Sequence, residues 1–287
     1  MAANMKAVKL RMKSIQSTMQ ITKAMELVAS SKLRKAKDRA EASRPYFQIL
    51  HDTLTDIAAG NTDFSSPYTK TTDNQKWCYV VIAGDRGLAG GYNANLFKEM
   101  EGQSKGRDYV VLPVGKKAVE YFRRRKVELV TEDFAEAADI SISDCFDMAR
   151  LLCKAYCSGE YGHIALCYTN FISMLSQRPG VKSMLPIVDL RQEEKGGKPD
   201  AVRSLILYEP DSESVFDAIV PEYLAGLIYG AMCESVASEL AARRTAMDAA
   251  TKNAGEMIEQ LSLYYNRARQ ASITQEITEI VAGAEQP

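Results

Sequence analysis

The chain begins and ends with long stretches in which apolar side chains recur at helical spacing. In the first, from about residue 4 to residue 57, the seam alternates spacings of four and three, the heptad pattern of a coiled-coil helix. Pro45 is expected to kink or restart this helix, because proline lacks the amide hydrogen and clashes one turn back. The seam consists of Val8, Met12, Ile15, Met19, Thr22, Glu26, Ala29, Leu33, Ala36 and Ala40, with a second stripe of Ile21, Met25 and Val28 beside it.

A second helical stretch extends from about Ser212 towards the end of the chain. Asp211 or Ser212 is placed to cap its start, and Pro221 in the second turn is expected only to kink it. About seventy residues of helix at about 1.5 Å each would be on the order of 100 Å long, more than a domain of this size covers. The first helix is therefore the expected partner, in an antiparallel coiled coil. The expected buried face comprises Val215, Ile219, Tyr223, Leu227, Met232, Val236, Leu240, Met247, Ala250, Ala254, Ile258, Leu261, Tyr265 and Ala268.

Between these stretches the apolar period shortens to that of buried strands. Short apolar runs alternate with helical patterns, which favours a mostly parallel sheet flanked by helices. The predicted fold class is therefore α/β: a long antiparallel coiled coil of the N- and C-terminal helices plus a central Rossmann-like α/β domain. The predicted segments are 1–58, 76–209 and 211–287. Strands are predicted at 77–83, 109–114, 127–130, 164–168, 184–188 and 204–208, helices at 93–101, 116–125 and 142–156, and loops at 60–75 and 191–200.

The charge of the chain is unevenly distributed. The formal net charge is −1, yet residues 1–45 carry eleven lysines and arginines against three acidic residues, a balance of +8 that leaves −9 for the rest. This basic helix suits an acidic protein surface, nucleic acid or anionic lipid, and a solvated helix face is an equally simple interpretation. Nucleic acid is disfavoured, because the helix lacks the interleaved aromatic residues that stack on bases. No run of roughly 18 apolar residues predicts a membrane span, and no leader is expected.

The residues that could carry chemistry do not form a recognisable catalytic set. No Ser-His-Asp order or pair of carboxylates can be placed around the two histidines, His51 and His163. The six cysteines lack a Cys-x-x-Cys pair, so buried, reduced thiols are expected rather than a metal site. The glycine-rich stretch 84–91 follows a strand and precedes a helix, where phosphate loops lie. It lacks both the Gly-Lys-Ser/Thr ending and the Gly-x-Gly-x-x-Gly spacing, so a tight turn is favoured and no cofactor is predicted.

The end of the last helix combines polar side chains with a small apolar tip. Helix ends are seldom this apolar, so residues 280–284 are expected to fit a socket in another protein. The polar residues that precede this tip are Arg267, Arg269, Gln270, Thr274, Gln275, Glu276, Thr278 and Glu279.

Three stretches of the chain resemble a known family. Residues 19–35 (MQITKAMELVASSKLRK), 84–93 (GDRGLAGGYN) and 268–280 (ARQASITQEITEI) resemble the gamma subunit of the F-type ATP synthase. The resemblance extends over nearly the whole chain. Residues 191–200 contain none of the cysteines of the redox-regulatory insertion that chloroplast members carry. The resemblance implies a rotor subunit without catalysis of its own, whose paired terminal helices form the central stalk inside a hexamer of alpha and beta subunits.

The resemblance also implies partners and contact residues. Lys23 and Met25 would face an acidic lever of a beta subunit, and the α/β domain would lie beside the epsilon subunit and bind no nucleotide. The expected location is the cytoplasmic face of a bacterial plasma membrane, peripherally, without membrane insertion or contact with nucleic acid. Further hexamer contacts would be Arg269, Gln270, Thr274, Glu276 and Thr278, the bearing tip would be Ile280, Val281 and Ala282, and the contacts with the ring of c subunits would be Ile206, Tyr208 and Glu209.

Two other functions remain open from the residues alone. The chain could be an α/β enzyme or small-ligand binder that uses the loop 84–91 and dimerises through its helices. It could also be a coiled-coil scaffold that self-associates. Nucleotide binding by the isolated chain would favour the first of these, and a stable homodimer that ignores alpha and beta subunits would favour the second.

Overall fold

The computed structural model describes residues 2–60, 65–137, 140–188 and 208–284. These ranges contain two long α-helices, three shorter α-helices, one turn of 3-10 helix (Pro67–Thr69) and four strands. The helices are α1 (Ala2–Gly60), α2 (Tyr92–Ser104), α3 (Lys116–Arg124), α4 (Ile142–Cys157) and α5 (Ser212–Ala284), and the strands are β1 (Trp77–Ile82), β2 (Tyr109–Val114), β3 (His163–Phe171) and β4 (Gln177–Leu185).

The chain divides into two compact units. The terminal unit comprises Met1–Ser31 and Arg243–Pro287, and the central unit comprises Lys32–Ala242. Each unit therefore includes part of both long helices. The division into segments 1–58, 76–209 and 211–287 stays a prediction.

In the terminal unit, the apolar seams of α1 and α5 meet. The hydroxyl oxygen of Thr22 lies 2.8 Å from that of Thr251, so the two helices are in direct contact. The second stripe lies outside the seam, since Ile21 is 58% exposed and Val28 is 54% exposed. Among the described residues of this unit, the buried ones are Val8, Thr22, Ala29, Met247 and Ala254.

The central unit is built on a four-stranded sheet with the strand order β2-β1-β3-β4. Strand β1 pairs in parallel with both neighbours, so that Trp77 lies opposite Tyr109 on one side and His163 on the other. Strand β4 pairs with β3 in the antiparallel direction. The predicted mostly parallel sheet flanked by helices is therefore confirmed.

Strand β1 separates the core of the central unit into two layers, because successive side chains of a strand point to opposite faces. Val80 and Ile82 pack on the side of α4 and of the two long helices, whereas Tyr79 and Val81 pack on the side of α2 and α3. Each fully buried apolar side chain contributes about 1.5–3 kcal/mol. The largest fully buried partners of these strand residues include Leu54, Leu96, Met100, Phe122, Met148, Leu152 and Phe216.

Within the central unit, α1 and α5 run antiparallel. The ring of Phe47 lies 6.2 Å from the ring of Tyr229, and the ring of His51 lies 5.8 Å from that of Tyr223. The residue numbers of the contact positions therefore decrease along α5 as they increase along α1, as expected for an antiparallel pair. The predicted restart at Pro45 is wrong, because α1 is continuous from Ala2 to Gly60. Proline has no amide hydrogen, so the carbonyl of Glu41, one turn earlier, lacks its helical donor. Glu41 and Pro45 are both exposed, so water can hydrogen-bond this carbonyl instead.

Three further predictions need correction. The predicted strand at 127–130 contributes only an isolated bridge between Leu129 and Val111. The strand predicted at 184–188 begins earlier and ends at Leu185. It is an edge strand, on which exposed polar residues are tolerated, so its first part lacks an apolar run. The predicted surface loop at 60–75 is partly internal, since Ser66 and Tyr68 are buried. The loop predicted at 191–200 falls outside the described residues, and so does the strand predicted at 204–208 except for Tyr208, which is not in a strand.

One stretch of α5, among the described residues, has the length and composition of a membrane-crossing helix. This stretch was not predicted from the sequence, because it is not an uninterrupted run of apolar residues. Half of this stretch is buried inside the protein. A core helix passes the same test, and α5 contributes Phe216, Leu224 and Ile228 to the core of the central unit.

Candidate functional site

The glycine-rich loop at 84–91 is held by hydrogen bonds from three neighbouring segments. The amide of Gly84 donates to the side-chain oxygen of Asn93 on α2 at 3.0 Å. One carboxylate oxygen of Asp85 accepts from the amide of Lys116 at 3.2 Å and from the amide of Ala137 at 2.9 Å. Because Lys116 is the first residue of α3, the carboxylate of Asp85 lies at a helix N-terminus, where a bound anion would otherwise be stabilised.

A second carboxylate approaches the same loop. A β-carbon placed on Gly84 would lie 2.8 Å from the carboxyl group of Glu239 on α5, so only glycine fits there without displacement. Ligands of open α/β sheets bind outside the carboxyl ends of the strands, which is where this loop lies. Asp85 already occupies the amide of Lys116, so the N-terminus of α3 is not open to a phosphate. The geometry therefore favours a tight connection between β1 and α2 over a phosphate-binding loop.

Replacing Asp85 with alanine is expected to destabilise the protein by about 1–3 kcal/mol, because two backbone amides lose their acceptor. Equilibrium unfolding in urea would measure the loss. Asp73 is an exposed residue of the loop before β1, so Asp73→Ala is the matched control and should change the free energy of unfolding by less than about 0.5 kcal/mol. Equal stabilities of the two variants would contradict the bridging role of Asp85.

In the terminal unit, the exposed surface of α1 is both basic and apolar. The ammonium group of Lys23 lies 2.9 Å from the carboxylate of Glu26, with 55% of the lysine side chain exposed. Met25 is half-buried. Around Lys23, Ile21 and Leu27 are 58% and 61% exposed. Grouped exposed apolar side chains are typical of interaction surfaces in general. The roles of Lys23 and Met25 as contacts stay predictions.

The last turns of α5 present polar side chains to solvent. The hydroxyl groups of Thr274 and Thr278 donate to backbone carbonyls one turn earlier, at 3.0 and 2.8 Å. Their single hydrogens are thus used within the helix, and their oxygens face outward as acceptors. Arg269 and Gln270 are exposed and supply donors. The combination can both donate and accept hydrogen bonds.

The tip that follows is apolar and open to solvent. Ile280 is 71% exposed and Val281 is 52% exposed. The side chain of Ala282 lies outside the described residues. The roles of these three residues and of Arg269, Gln270, Thr274, Glu276 and Thr278 as contacts stay predictions.

Of the three residues predicted to face the ring of c subunits, two are described. Tyr208 packs partly against the core of the central unit, so only part of its ring is available to another protein. Glu209 is exposed, and Ile206 lies outside the described residues. The three residues as a contact surface stay a prediction.

The cysteines are mostly buried, as predicted. Five of the six thiols are buried, and Cys157 on α4 is exposed. Burial raises the pKa of Cys78 and of Cys145 to about 12, and it also raises the pKa of Cys153 to about 12. Thiolates are the reactive form, so the buried thiols are poor nucleophiles at neutral pH. Within the described ranges, no three His, Cys, Asp or Glu residues group as metal ligands.

Two features of these sites were missed from the sequence. Asp85 was considered only as part of a glycine-rich turn, although an acidic residue directly after a strand and a glycine is well placed to accept backbone amides. The contact between Thr22 and Thr251 was missed because Thr251 lies beside the predicted stripe on α5. The available signal was a hydroxyl residue in the seam of α1 and another directly beside the predicted stripe of α5.

Comparison with known proteins gives a consistent result along the whole chain. The family model described as ATP synthase matches residues 4–286. The chain is 47% identical over 284 residues to the ATP synthase gamma chain of Ruminococcus albus, an alignment that covers 97% of this chain and 96% of the relative.

Two solved structures of the Euglena gracilis mitochondrial ATP synthase share the fold. The rotor in rotational state 1 has a TM-score of 0.65 at 18% identity, covering 95% of this chain and 100% of that chain. A chain from the OSCP/F1/c-ring assembly in rotational state 3 has a TM-score of 0.67 at 17% identity, covering 99% of this chain and 94% of that one. Given the sequence match over nearly the full length, this chain belongs to the ATP synthase gamma chain family.

Proposed function

We propose that this chain is the central-stalk rotor of an F-type ATP synthase, and that it transmits rotation between the c-ring and a catalytic hexamer of alpha and beta subunits. The observation that carries the proposal is the 47% identity to a gamma chain over 97% of this chain. The contact of α1 with α5 at Thr22 and Thr251 supports it, because a rotor needs paired helices to carry torque.

The proposed mechanism rests on asymmetry. Three identical catalytic sites remain equivalent unless one asymmetric body touches each of them differently. A contact shifts a conformational equilibrium only by the difference in its free energy between the two states, and a shift from 1:99 to 99:1 requires about 5.5 kcal/mol. Burying a side chain such as Ile21, Leu27 or Val28 contributes up to about 1.5–3 kcal/mol. A few such contacts on one side of the rotor are therefore sufficient to distinguish the sites.

In this proposal, each predicted contact surface has a separate task. The basic and apolar surface around Lys23 and Met25 meets an acidic segment of a beta subunit. Arg269, Gln270, Thr274, Glu276 and Thr278 form exchangeable hydrogen bonds with the hexamer, and the apolar tip at Ile280–Val281 turns in its bearing. Polar contacts that exchange with water hold no single orientation permanently, so rotation remains possible.

The chain itself performs no chemistry in this proposal. The carboxylate of Asp85 at the glycine-rich loop supports this assignment, because it occupies a helix N-terminal amide at the edge where an α/β protein would hold a nucleotide. The central unit would instead contact the epsilon subunit and the c-ring. The complex would place the chain at the cytoplasmic face of a bacterial plasma membrane, as a peripheral subunit without membrane insertion.

Co-expression of this chain with alpha and beta subunits tests the proposal. We expect a soluble complex that hydrolyses ATP and that contains one copy of this chain per three alpha and three beta subunits, measured by native mass spectrometry. Omission of this chain should abolish the stoichiometric complex and its steady ATP hydrolysis. A chain that forms stable homodimers and stays separate from alpha and beta subunits would overturn the proposal.

A further inference from the structure

The contact between Thr22 and Thr251 is a polar pair within an apolar helix seam. The two hydroxyl oxygens are 2.8 Å apart, and Thr22 is 9% exposed. The enclosed seam residues of the same unit include Val8 and Ala29 on α1 and Ala254 on α5. A polar pair at such a position contributes less to stability than an apolar pair, so its value lies in what it specifies.

Hydrogen counting shows why the two hydroxyl groups suit each other. The hydroxyl of Thr22 can donate to the carbonyl of Met19 at 3.0 Å, and that of Thr251 can donate to the carbonyl of Met247 at 2.8 Å. Each hydroxyl has one hydrogen, so one of them donates to the other while the second donates to its own helix. Two such arrangements exist, and both use every hydrogen. In a register shifted by one heptad, Thr22 would stand opposite Ile258 or Arg244 and Thr251 opposite Ala29 or Ile15, so the two hydroxyl groups would lose each other.

Charged side chains beside the pair match the same register. Lys23 pairs with Glu26 on α1 at 2.9 Å, and Lys252 pairs with Asp248 on α5 at 2.7 Å. The hydrogen bond from Lys252 lowers the pKa of Asp248, and the positive charge of Lys23 on the other helix lowers it further. The pKa of Lys252 is raised, mainly by its hydrogen bond with Asp248 and in addition by the negative charge of Glu26 on the other helix. Opposite charges therefore face each other across the helices.

We propose that Thr22 and Thr251 are positioning residues that fix the register of α1 against α5 in the terminal unit. Isolated surface ion pairs contribute little, so the partly buried hydroxyl pair carries most of the specificity. The register determines which residues of α5 stand beside Lys23 and Met25. The effect on coupling rests on the proposed function, whereas the register itself does not.

Spin labels on the full-length chain test the register directly. Lys13 on α1 and Gln260 on α5 are exposed, and each can be replaced by cysteine for labelling after Cys157, the exposed native thiol, is changed to serine. Electron–electron double resonance should give one distance for the parent chain. In Thr22→Val/Thr251→Val we expect a second, longer distance, because a slip of one heptad offsets the two facing labelled positions by about 10 Å along the helix axes. The ratio of the two registers should change about fivefold, which corresponds to one hydrogen bond.

Two further variants separate positioning from simple stabilisation. Thr18 on α1 is exposed and donates to the carbonyl of Ser14, so Thr18→Val is a matched control that should keep the single distance. Thr22→Ser/Thr251→Ser retains both hydroxyl groups and should also keep it. The melting temperature of the double valine variant should be unchanged or higher, because both polar partners are replaced by apolar groups of similar shape. A single, unchanged distance in the double valine variant would overturn the inference.

The same variants in an assembled complex test the consequence for coupling. We expect the double valine variant to transport fewer ions per ATP hydrolysed in membrane vesicles, and the double serine variant to restore the ratio. If the double valine variant shows two registers but transports the parent number of ions per ATP, the proposed positioning of Lys23 and Met25 is contradicted. If the parent chain shows one register but never joins alpha and beta subunits, the proposed function fails while the assignment of the register stands.

Discussion

Replacing Gly226 with alanine is expected to destabilise the protein by about 2–3 kcal/mol, the cost of forcing an extra carbon into a packed site. A β-carbon at this position of α5 would lie 2.0 Å from a ring carbon of Phe47 on α1. Either the ring leaves its place beside Tyr229, or the two helices move apart. Both changes remove contacts between α1 and α5 in the central unit. Equilibrium unfolding in urea measures the effect.

Gly230 supplies the matched control for this prediction. It lies one turn further along α5, and a β-carbon there would meet nothing within 4 Å. Gly230→Ala should therefore be neutral or stabilise the protein by up to about 1 kcal/mol, because alanine favours the helix. Adding Phe47→Leu to Gly226→Ala should recover part of the loss, since the two sites share the same space. Equal effects of the two glycine substitutions would show that α1 and α5 do not pack closely at Phe47.

Replacing Arg269 with alanine is expected to lower ATP hydrolysis by the assembled complex at least about tenfold. A hydrogen bond to a charged group contributes about 1.5–3 kcal/mol, and about 1.4 kcal/mol corresponds to a tenfold change. Arg269 is exposed on α5 in the terminal unit, so its removal leaves no internal cavity. Steady-state hydrolysis by the purified complex measures the loss.

Arg124 is the control for the loss of a positive charge. It is exposed near the end of α3 in the central unit, far along the chain from the proposed hexamer contacts. Arg124→Ala should leave hydrolysis within about twofold of the parent complex, the effect of a substitution of less than about 0.5 kcal/mol. Both variants should keep the helix content and melting temperature of the parent chain. Equal activities of the Arg269→Ala and Arg124→Ala complexes would remove Arg269 from the contact surface.

The parts of the fold that follow a simple period could be predicted from the sequence. The seam of α1 from Val8 to Ala36 is confirmed, because a helix that pairs along its length repeats the same environment every seven residues. The alternation of buried strands and helices likewise predicted a mostly parallel sheet. On α5 the predicted stripe of buried residues covers only part of the face that is buried in the structure. Phe216, Val220 and Leu224 are fully buried beside the predicted stripe, since α5 packs against several elements of the central unit at once.

Features that depend on tertiary contacts could not be predicted. Strand β4 is stabilised by its pairing with β3, and its first residues carry no apolar run of their own. The bridging role of Asp85 depends on Lys116 and Ala137, which are distant in sequence. Of the candidate site, the basic character of α1 was visible from the residues, whereas the roles of Lys23 and Met25 followed only from the family resemblance. The match of Thr22 with Thr251 required knowledge of the register.

Rotation of the chain inside the hexamer is the most direct test of the central claim. Cys157 is the exposed thiol among six cysteines, so a maleimide-linked bead can be attached there while the alpha and beta subunits are fixed to a surface. On addition of ATP we predict rotation in one direction with three pauses in each turn, one for each catalytic site. A bead that stays fixed, or that moves equally in both directions with and without ATP, would contradict the account.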